Sequence, residues 1–433
     1  MHFENTLTFA QALDAQDPLK NFRKLFHIPK TKTGKEVIYF TGNSLGLQPI
    51  TAKEAILQEL EDWANLGGEA HFEGKNPWFS YHKLLTEPTA KLVGAKPIEV
   101  VVMNTLTVNL HLLMVSFYRP TPKRFKILME GGAFPSDQYA VESQVKMHQL
   151  LPEDAIVEIF PREGETYLRT DDITKKINEI GGELALVLFG GVNYYTGQAF
   201  DMQAITKAAH EVGAVAGFDL AHAAGNIPLK LHEWNVDFAT WCTYKYLNSG
   251  AGGTSGVFIH ERYAYNSEIP RLAGWWGHDE KERFLMKKGF KHIIGAEGWQ
   301  ISNAQVLPMA VHKEALKIFE DAGMDRLWDK HLKMNAYFYF LIDHFNQSQA
   351  KIKVEVITPK YENQNGVPPN GVPPCGCQIS LVVQNGGKNL YNFLMESGVS
   401  TGWREPEVIR IAPVPLYNTF EEIYQFVELL KAF

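Results

Sequence analysis

The chain has 433 residues, of which 45% are hydrophobic and 21% charged, with a formal net charge of −7. This balance is typical of a globular protein, and a pI near 6.1 argues against a nucleic-acid-binding surface, which needs a clustered basic face. The longest apolar run, residues 184–189, is too short to cross a bilayer. Three cysteines are too few for disulfide bonds to stabilise a chain of this length, and the N-terminal residues lack the basic-then-apolar pattern of a signal peptide. We therefore expect a cytoplasmic protein with no membrane or nucleic-acid partner.

Helix and strand patterns alternate along the N-terminal two thirds of the chain. Thr51 and Glu54 have the spacing of a capping box, and Gly67 follows the helix that they begin. Short apolar runs predict buried strands at residues 126–129, 184–189 and 214–218, with a helical pattern at residues 202–210. The apolar residues of the first of these helices recur at helical spacing: Ile56, Leu57, Leu60, Trp63 and Ala64.

Buried strands that alternate with helices predict an α/β fold around a mostly parallel sheet, with ligands at the carboxyl ends of the strands. A long helical pattern at residues 305–345, broken near Gly323, is followed by shorter strands and a final helix at residues 420–433. We expect an N-terminal segment (residues 1–49) that packs with a small C-terminal α+β domain (310–433), and a large domain between them (50–309). The tandem repeat NGVPPNGVPP at residues 365–374 predicts a surface loop.

Two polar residues follow predicted buried strands. Asp219 ends the run at residues 214–218, and Lys245 comes 26 positions later, after the strand-like residues 237–242. Such strand ends would direct both side chains into one crevice. Pyridoxal phosphate (PLP) needs an amine for its aldehyde and an anion for its ring nitrogen, which Lys245 and Asp219 would supply. From spacing alone, a surface lysine and a helix-capping aspartate explain the pattern equally well.

Long motifs in a fixed order resemble the kynureninase family. They span residues 39–418: YFTGNSLGLQP, NTLTVNLHLL, FPSDQYA, GVNYYTGQ, GFDLAHAAGN, YKYLNSGAGG, GWWGH, ISN, WREP and RIAPVPLYN. The resemblance implies a homodimeric PLP enzyme of fold type I. It implies hydrolytic Cβ–Cγ cleavage of kynurenine or 3-hydroxykynurenine to alanine and anthranilate or 3-hydroxyanthranilate, through aldimine, quinonoid and ketimine stages. The implied setting is tryptophan degradation and NAD biosynthesis.

The resemblance also implies roles for individual residues around the cofactor. Lys245 would carry PLP as an imine, Asp219 would hold its ring nitrogen, and Tyr244 would donate to the phosphate and relay protons. Phe134 would stack on the ring, and Gly190 stands where many members have a small hydroxyl residue, so that one hydrogen bond on the phosphate side would be missing or made by water. The other cofactor-binding positions are Leu106, Thr107, Asp137, His222, Trp275 and Asn303, the last two supplied by the second chain of the dimer.

The substrate-binding positions follow from the same resemblance. Arg404 matches the arginine that grips the α-carboxylate, a group that a guanidinium fork suits. His71 and Asn303, with Ser302 beside them, match positions near the aryl ring in members that prefer the 3-hydroxylated substrate. A buried ring hydroxyl needs a hydrogen-bond partner, which His71 or Asn303 would supply.

Other interpretations of the sequence are weaker. A cysteine desulfurase needs a nucleophilic thiol on a loop over the cofactor, an aminotransferase needs a keto acid, and a non-catalytic ligand sensor has no need of Lys245, Asp219, Tyr244 and Arg404 together. The glycines of residues 250–256 lack the third glycine of a dinucleotide motif. Cys375 and Cys377 have no second ligand pair at zinc spacing, so we expect no metal.

Overall fold

The computed structural model describes residues 2–348, 351–361, 373–384 and 386–433. Its helices are α1 (Leu7–Gln16), α2 (Ala52–Leu66), α3 (Ala70–Glu73), α4 (Thr86–Val93), α5 (Leu106–Phe117), α6 (Pro135–Met147), α7 (Pro152–Ala155), α8 (Thr170–Ile180), α9 (Met202–Glu211), α10 (Val306–Ala322), α11 (Met324–Gln347), α12 (Gly387–Glu396) and α13 (Phe420–Ala432). Its strands are β1 (Ile38–Tyr39), β2 (Val100–Met103), β3 (Lys126–Glu130), β4 (Ile156–Ile159), β5 (Leu184–Gly190), β6 (Val215–Asp219), β7 (Phe238–Cys242), β8 (Ser255–Ile259), β9 (Lys353–Val356), β10 (Ile379–Gln384), β11 (Val399–Ser400), β12 (Gly402–Arg404) and β13 (Val408–Ile411).

A seven-stranded sheet in the order β2-β8-β7-β6-β5-β3-β4 forms the centre of the molecule. Strands β7, β6, β5, β3 and β4 run parallel, whereas β8 pairs antiparallel with both β7 and β2. Every residue of β7 and β8 is buried, as expected for a sheet that is covered by helices on both faces. The predicted α/β class with a mostly parallel central sheet is confirmed.

A second, antiparallel sheet in the order β12-β13-β10-β9 lies toward the C-terminus. Its hydrophobic cluster includes Ile379 and Ile411 from the sheet, Phe338 from α11 and Phe426 from α13. The N-terminal segment packs here as well, because β1 pairs in parallel with β11 and Phe40 belongs to the same cluster.

The observed elements agree with the predicted strands to within one or two residues, but the first predicted helix differs in two ways. Thr51 precedes α2 in a right-handed helical conformation and makes no side-chain cap hydrogen bond, so the predicted capping box is wrong. The apolar side of α2 is also exposed in the single chain, with Leu57 at 50% and Trp63 at 60%, whereas Glu59 and Asp62 are buried.

Two further predictions concern loops and helix ends. The helical pattern at residues 305–345 is two helices, α10 and α11, which meet at Gly323 with φ of 72°. The repeat at residues 365–374 lies almost wholly outside the described residues.

Within the described ranges, no helix combines the length and the hydropathy that crossing a membrane requires.

Candidate active site

The cavity at the carboxyl ends of the parallel strands has a volume of about 330 Å³. Asp219 ends β6 opposite Gly190 of β5, Glu130 ends β3, and Lys245 follows β7. The structure thus brings Asp219 and Lys245 into one crevice. Its walls are completed by the N-terminal ends of α5 and α6 and by the C-terminal sheet, and the lining residues are Asn43, Ser44, Thr105, Leu106, Thr107, Glu130, Phe134, Ser136, Asp137, Gly190, Val192, Tyr194, Asp219, Ala221, His222, Tyr244, Lys245, Arg404 and Arg410.

Two buried acids, Asp219 and Asp137, face each other in this cavity. Oδ1 of Asp219 accepts a hydrogen bond of 2.7 Å from the backbone N–H of Ala221, whereas Oδ1 of Asp137 has no partner among the described residues. Burial raises the pKa of Asp137 well above its ordinary value, and the neighbouring Asp219 raises it further. Burial also raises the pKa of Asp219, but the Ala221 N–H and Lys245 oppose this rise. The surroundings of Asp137 therefore favour its protonated form more strongly than those of Asp219, which has the backbone N–H of Ala221 and Lys245 to stabilise its charge.

Lys245 is directed into the cavity by two neighbours. Its Nζ lies 3.0 Å from Nε2 of His222 and 5.8 Å from the centroid of the Phe134 ring. Burial lowers the pKa of His222 well below its ordinary value, and Lys245 and the two cavity arginines lower it further. A neutral imidazole therefore faces the amine of Lys245, while the half-exposed ring of Phe134 forms one wall.

The amino end of α5 offers an anion site. Thr105 precedes the helix in an extended conformation and makes no side-chain cap hydrogen bond, so the first amides of α5 face the cavity without a cap. The hydroxyls of Thr107 and Ser136 lie 2.8 Å apart beside them. Across the cavity, burial raises the pKa of Tyr244, and Cys242 raises it further, so that its hydroxyl remains a hydrogen-bond donor at neutral pH.

Two arginines line the cavity on the side of the C-terminal sheet. Arg404 is partly exposed and donates to the Trp403 carbonyl at 2.8 Å. Arg410 is 1% exposed and donates to the Tyr194 carbonyl at 2.7 Å, and its Nε has no partner among the described residues. Burial and, to a lesser extent, the neighbouring Arg404 lower the pKa of Arg410 to about 10. A buried guanidinium with an unused donor is suited to an anionic ligand.

Four predicted site residues lie outside this single-chain cavity. Nδ1 of His71 lies 3.0 Å from the Gly68 carbonyl oxygen, and the indole of Trp275 donates to the Arg283 carbonyl at 3.3 Å. Ser302 and Asn303 are exposed. The other predicted positions all line the cavity: Leu106, Thr107, Phe134, Asp137, Gly190, Asp219, His222, Tyr244, Lys245 and Arg404.

Sequence reasoning missed several cavity residues, chiefly Glu130, Tyr194 and Arg410. Glu130 directly follows a predicted strand, so the strand-end rule that selected Asp219 applies to it equally. Arg410 begins the motif RIAPVPLYN, but its burial was not visible in the sequence because it depends on the pairing of β13 with β10.

One group of three possible metal ligands occurs among the described residues: Glu99, His232 and His260. Nδ1 of His232 lies 2.9 Å from Oε1 of Glu99, and the same oxygen accepts from the backbone N–H of Glu261. Nδ1 of His260 accepts from the backbone N–H of Arg262. These atoms are already hydrogen-bonded within the protein, and they lie away from the cavity, so the group carries no argument for a metal.

The cavity fits PLP by the chemistry of its donors. It offers an amine on Lys245, an anionic carboxylate on Asp219, an aromatic wall at Phe134 and uncapped helix amides for a phosphate. Some buried polar atoms in its wall, among them Oδ1 of Asp137 and Nδ1 of His222, have no hydrogen-bond partner among the described residues. Buried polar atoms normally have one, so these atoms suit a polar ligand.

Comparison with known proteins agrees with this chemistry. The family described as Aminotransferase class-V matches residues 38–363, and the Kynureninase C-terminal domain family matches residues 327–430. The kynureninase of Flavobacterium psychrophilum is 53% identical over 431 residues, which cover 100% of this chain and 99% of that protein. This chain belongs to the kynureninase family. The family is also represented by the kynureninase of Nematostella vectensis, which is 47% identical over 98% of this chain and 93% of that protein.

Solved structures related to this kynureninase-family chain support the predicted fold. The cysteine desulfurase CsdA of Escherichia coli has a TM-score of 0.73 at 15% identity, covering 96% of this chain and 98% of that one. A mutant of the cystine C-S lyase C-DES, solved with glycine covalently linked to the PLP cofactor, also has a TM-score of 0.73, at 17% identity over 92% of this chain and 97% of that one. At such identities the likeness concerns the fold alone. The predicted fold-type-I class and the resemblance to kynureninase are both confirmed.

Proposed function

We propose that this chain hydrolyses the Cβ–Cγ bond of kynurenine, 3-hydroxykynurenine or both, giving alanine and the corresponding anthranilate, with PLP held on Lys245. The observation that carries the proposal is a single cavity lined by Lys245, Asp219, Phe134 and two arginines, in a chain 53% identical to a kynureninase over its full length. The likeness to cysteine desulfurases supports no second function, because all three cysteines are buried.

Bound PLP supplies an electron sink that stabilises negative charge on the substrate carbon next to the amine. Lys245 then acts as the base at Cα, and its access to the substrate is supported by the 3.0 Å contact with a neutral His222. Asp219, charged and buried, holds the proton on the ring nitrogen that makes the sink effective. Tyr244 keeps its own proton at neutral pH, which suits a donor to the phosphate and to Cβ, the substrate carbon that becomes the methyl group of alanine.

For the substrate α-carboxylate we propose both cavity arginines, with Arg410 as the principal partner. Arg404 is the residue that the sequence predicted, but Arg410 is the more buried of the two and has an unused Nε. A carboxylate at this position would neutralise a guanidinium that is otherwise isolated in the protein interior.

We propose a homodimer in which Trp275, Ser302, Asn303 and His71 complete the cavity. The proposal is supported by an aromatic face on the single chain, in which Phe72, Phe79, Phe284 and Trp275 follow one another with ring centroids 5.4–5.7 Å apart. Phe72 and Phe284 are 57% and 53% exposed. The apolar side of α2 is also exposed, and apolar surface of this extent is typical of a protein–protein interface.

We further propose the domain division expected from the sequence and a cytoplasmic location. The division into residues 1–49, 50–309 and 310–433 is supported by Phe40, which packs with the C-terminal hydrophobic cluster. It is also supported by the pairing of β1 with β11. The location is supported only by composition, since three reduced, buried cysteines suit a reducing compartment.

A substrate panel on the purified, PLP-loaded chain tests the function. We expect an anthranilate product from kynurenine or 3-hydroxykynurenine, no steady sulfide release from cysteine, and no steady turnover of an amino acid with a keto acid. Sulfide release or transamination without cleavage of either kynurenine substrate would replace the proposal with the corresponding alternative.

A further inference from the structure

Glu130 is a buried carboxylate of the cavity wall for which the proposed chemistry has no role. It ends β3, is 5% exposed and lines the cavity. Its Oε1 accepts from the backbone N–H of Gly190 at 3.2 Å, and its Oε2 accepts from Nδ2 of Asn193 at 2.7 Å. Gly190 is the last residue of β5 and Asn193 lies in the loop that follows it, so the carboxylate ties the end of β3 to the end of β5 and to that loop.

Asn193 also hydrogen-bonds to the residues that follow it in the loop. Its Oδ1 accepts from the backbone N–H groups of Tyr195 and Thr196 at 2.9 and 2.8 Å, which leaves Nδ2 to reach Glu130. The ring of Tyr194, the residue between Asn193 and Tyr195, packs in a T-shaped arrangement with the ring of Phe134, with centroids 5.2 Å apart and planes at 81°. The Tyr194 carbonyl accepts the 2.7 Å hydrogen bond from Arg410. Glu130 is therefore linked, through one loop, to both the aromatic wall and the buried guanidinium.

The fit around Glu130 is close. A Cβ at Gly190 would lie 2.9 Å from Oε1 of Glu130, inside normal contact distance. The carboxylate oxygen thus lies beside the position where the sequence predicted a missing or water-mediated hydrogen bond. A side chain at this position would have to displace the carboxylate from its two donors.

The charge of Glu130 is unfavourable for the unliganded fold. Burial raises the pKa of Glu130, the hydrogen bonds from Asn193 and Gly190 oppose the rise, and Asp219 adds to it, so that the pKa is about 7. The other charged or titratable residues that line the cavity are Asp137, Asp219, Tyr194, Tyr244, His222, Lys245, Arg404 and Arg410. The ionised form suits the two donors but costs stability, and a residue that costs stability is typical of a functional site.

We propose that Glu130 is a positioning residue: by fastening Asn193 it sets Tyr194 against Phe134 and fixes the carbonyl that orients Arg410 toward the substrate carboxylate. The inference rests on the proposed function for the role of the carboxylate partner, and it adds a residue to which neither the sequence motifs nor the proposed chemistry gives a role. The hydrogen bonds of Glu130 go to Gly190 and Asn193 and not to Lys245 or Asp219, so we expect binding to suffer more than chemistry.

The test compares Glu130→Gln and Glu130→Asp with the unmodified chain. L-alanine, which carries the α-carboxylate, is titrated into PLP-loaded protein and its Kd is read from cofactor absorbance. We expect Kd for L-alanine and KM for the kynurenine substrate to rise about tenfold in Glu130→Gln, with kcat changed by no more than about threefold. Glu130→Asp retains the charge but is one methylene shorter, so an intermediate Kd is expected.

The melting temperature of the cofactor-free protein gives a second readout. The pKa of Glu130 is raised on folding, so the native state binds the proton more tightly than the unfolded state. The unmodified chain therefore loses stability as pH rises from about 4.5 to about 7. Glu130→Gln lacks this loss, and we expect it to melt at a higher temperature than the unmodified chain at pH 8 and at a similar one at pH 5.

Glu99→Gln is the matched control, because Glu99 is a fully buried carboxylate outside the cavity that accepts from the Lys96 and Glu261 amides, both at 2.8 Å. We expect it to lower the melting temperature and to leave Kd for L-alanine unchanged. If Glu130→Gln also lowers the melting temperature at pH 8 with Kd unchanged, Glu130 is a structural residue and the proposal is wrong. If L-alanine binding behaves as expected but neither kynurenine substrate is cleaved, the proposed function fails and the positioning role stands.

Discussion

Nζ of Lys245 lies 3.0 Å from Nε2 of His222. The two residues follow neighbouring strands, β7 and β6, so the parallel sheet itself brings them together. Because burial and the nearby cations keep His222 neutral, its ring accepts a hydrogen bond from the amine rather than repelling it. The contact holds the amine of Lys245 in the cavity, 5.8 Å from the centroid of the Phe134 ring.

The two facing acids have different roles in this account. Asp219→Asn keeps the size of the side chain and the acceptor for the Ala221 amide but removes the charge. We expect kcat/KM to fall about 100-fold or more, because the electron sink loses its anionic partner. Asp137→Asn should cost less, since burial and the neighbouring Asp219 raise the pKa of Asp137 and so favour its uncharged form. Steady-state kinetics on the PLP-loaded variants decides this, and a greater loss in Asp137→Asn would reverse the assignment.

Conservative substitutions distinguish the contributions of Arg404 and Arg410 to binding of the substrate carboxylate. Arg410→Lys retains the charge but loses the fork that binds a carboxylate, so we expect KM to rise about tenfold, equivalent to about 1.4 kcal/mol, with a smaller change in kcat. Arg404→Lys serves as the matched comparison and should raise KM less, because Arg404 is partly exposed. A larger effect of Arg404→Lys would restore the role that the sequence predicted.

Discrimination between the two substrates is expected to depend on His71 and Asn303. Replacing both by leucine removes the polar partners of a ring hydroxyl. We therefore expect the ratio of kcat/KM for 3-hydroxykynurenine to that for kynurenine to fall about tenfold. The single variants measured alongside show which residue carries the effect. An unchanged ratio in the double variant would remove both residues from substrate recognition.

A buried ion pair anchors the N-terminal segment. Nζ of Lys330 lies 2.8 Å from Oδ2 of Asp17, and the side chains are 5% and 3% exposed. Asp17→Asn leaves the lysine charge without its partner, so we expect the free energy of unfolding to fall by about 3–5 kcal/mol in denaturant titration. Adding Lys330→Met to Asp17→Asn should recover much of this loss. If the double variant is no more stable than Asp17→Asn, the pair is not the cause.

The sequence predicted the site best where a residue with distinctive chemistry directly follows a buried strand. Asp219 and Lys245 each follow a continuous apolar run, which predicts a strand that is buried on both faces. Because ligands bind at the carboxyl ends of such strands, the two runs predicted where the cavity lies. The same rule applies to Glu130, but a single glutamate in the sequence MEGG does not by itself indicate a function. The role of Arg410 depends on strand pairing between distant segments, which sequence spacing does not reveal.

Helix α2 shows why an apolar pattern can mislead. Leu57, Leu60 and Trp63 recur at helical spacing and would predict a buried face, yet they are exposed, whereas Glu59 and Asp62 are buried. Glu59 accepts from Trp78 and Tyr81 at 2.8 and 2.9 Å, which satisfies its charge in the interior. Periodicity identifies an apolar face but not the surface that covers it, and here that surface would be the second chain of the proposed dimer.

The most direct test of the account is the formation of anthranilate or 3-hydroxyanthranilate by the PLP-loaded chain, measured beside the variant Lys245→Ala. We expect turnover of at least one kynurenine substrate by the unmodified chain. Lys245→Ala should still bind PLP non-covalently, because the residues around Thr107 and Phe134 remain, but it should form product at least about 1,000-fold more slowly. Comparable product formation by Lys245→Ala would contradict the central claim that this amine carries the reaction.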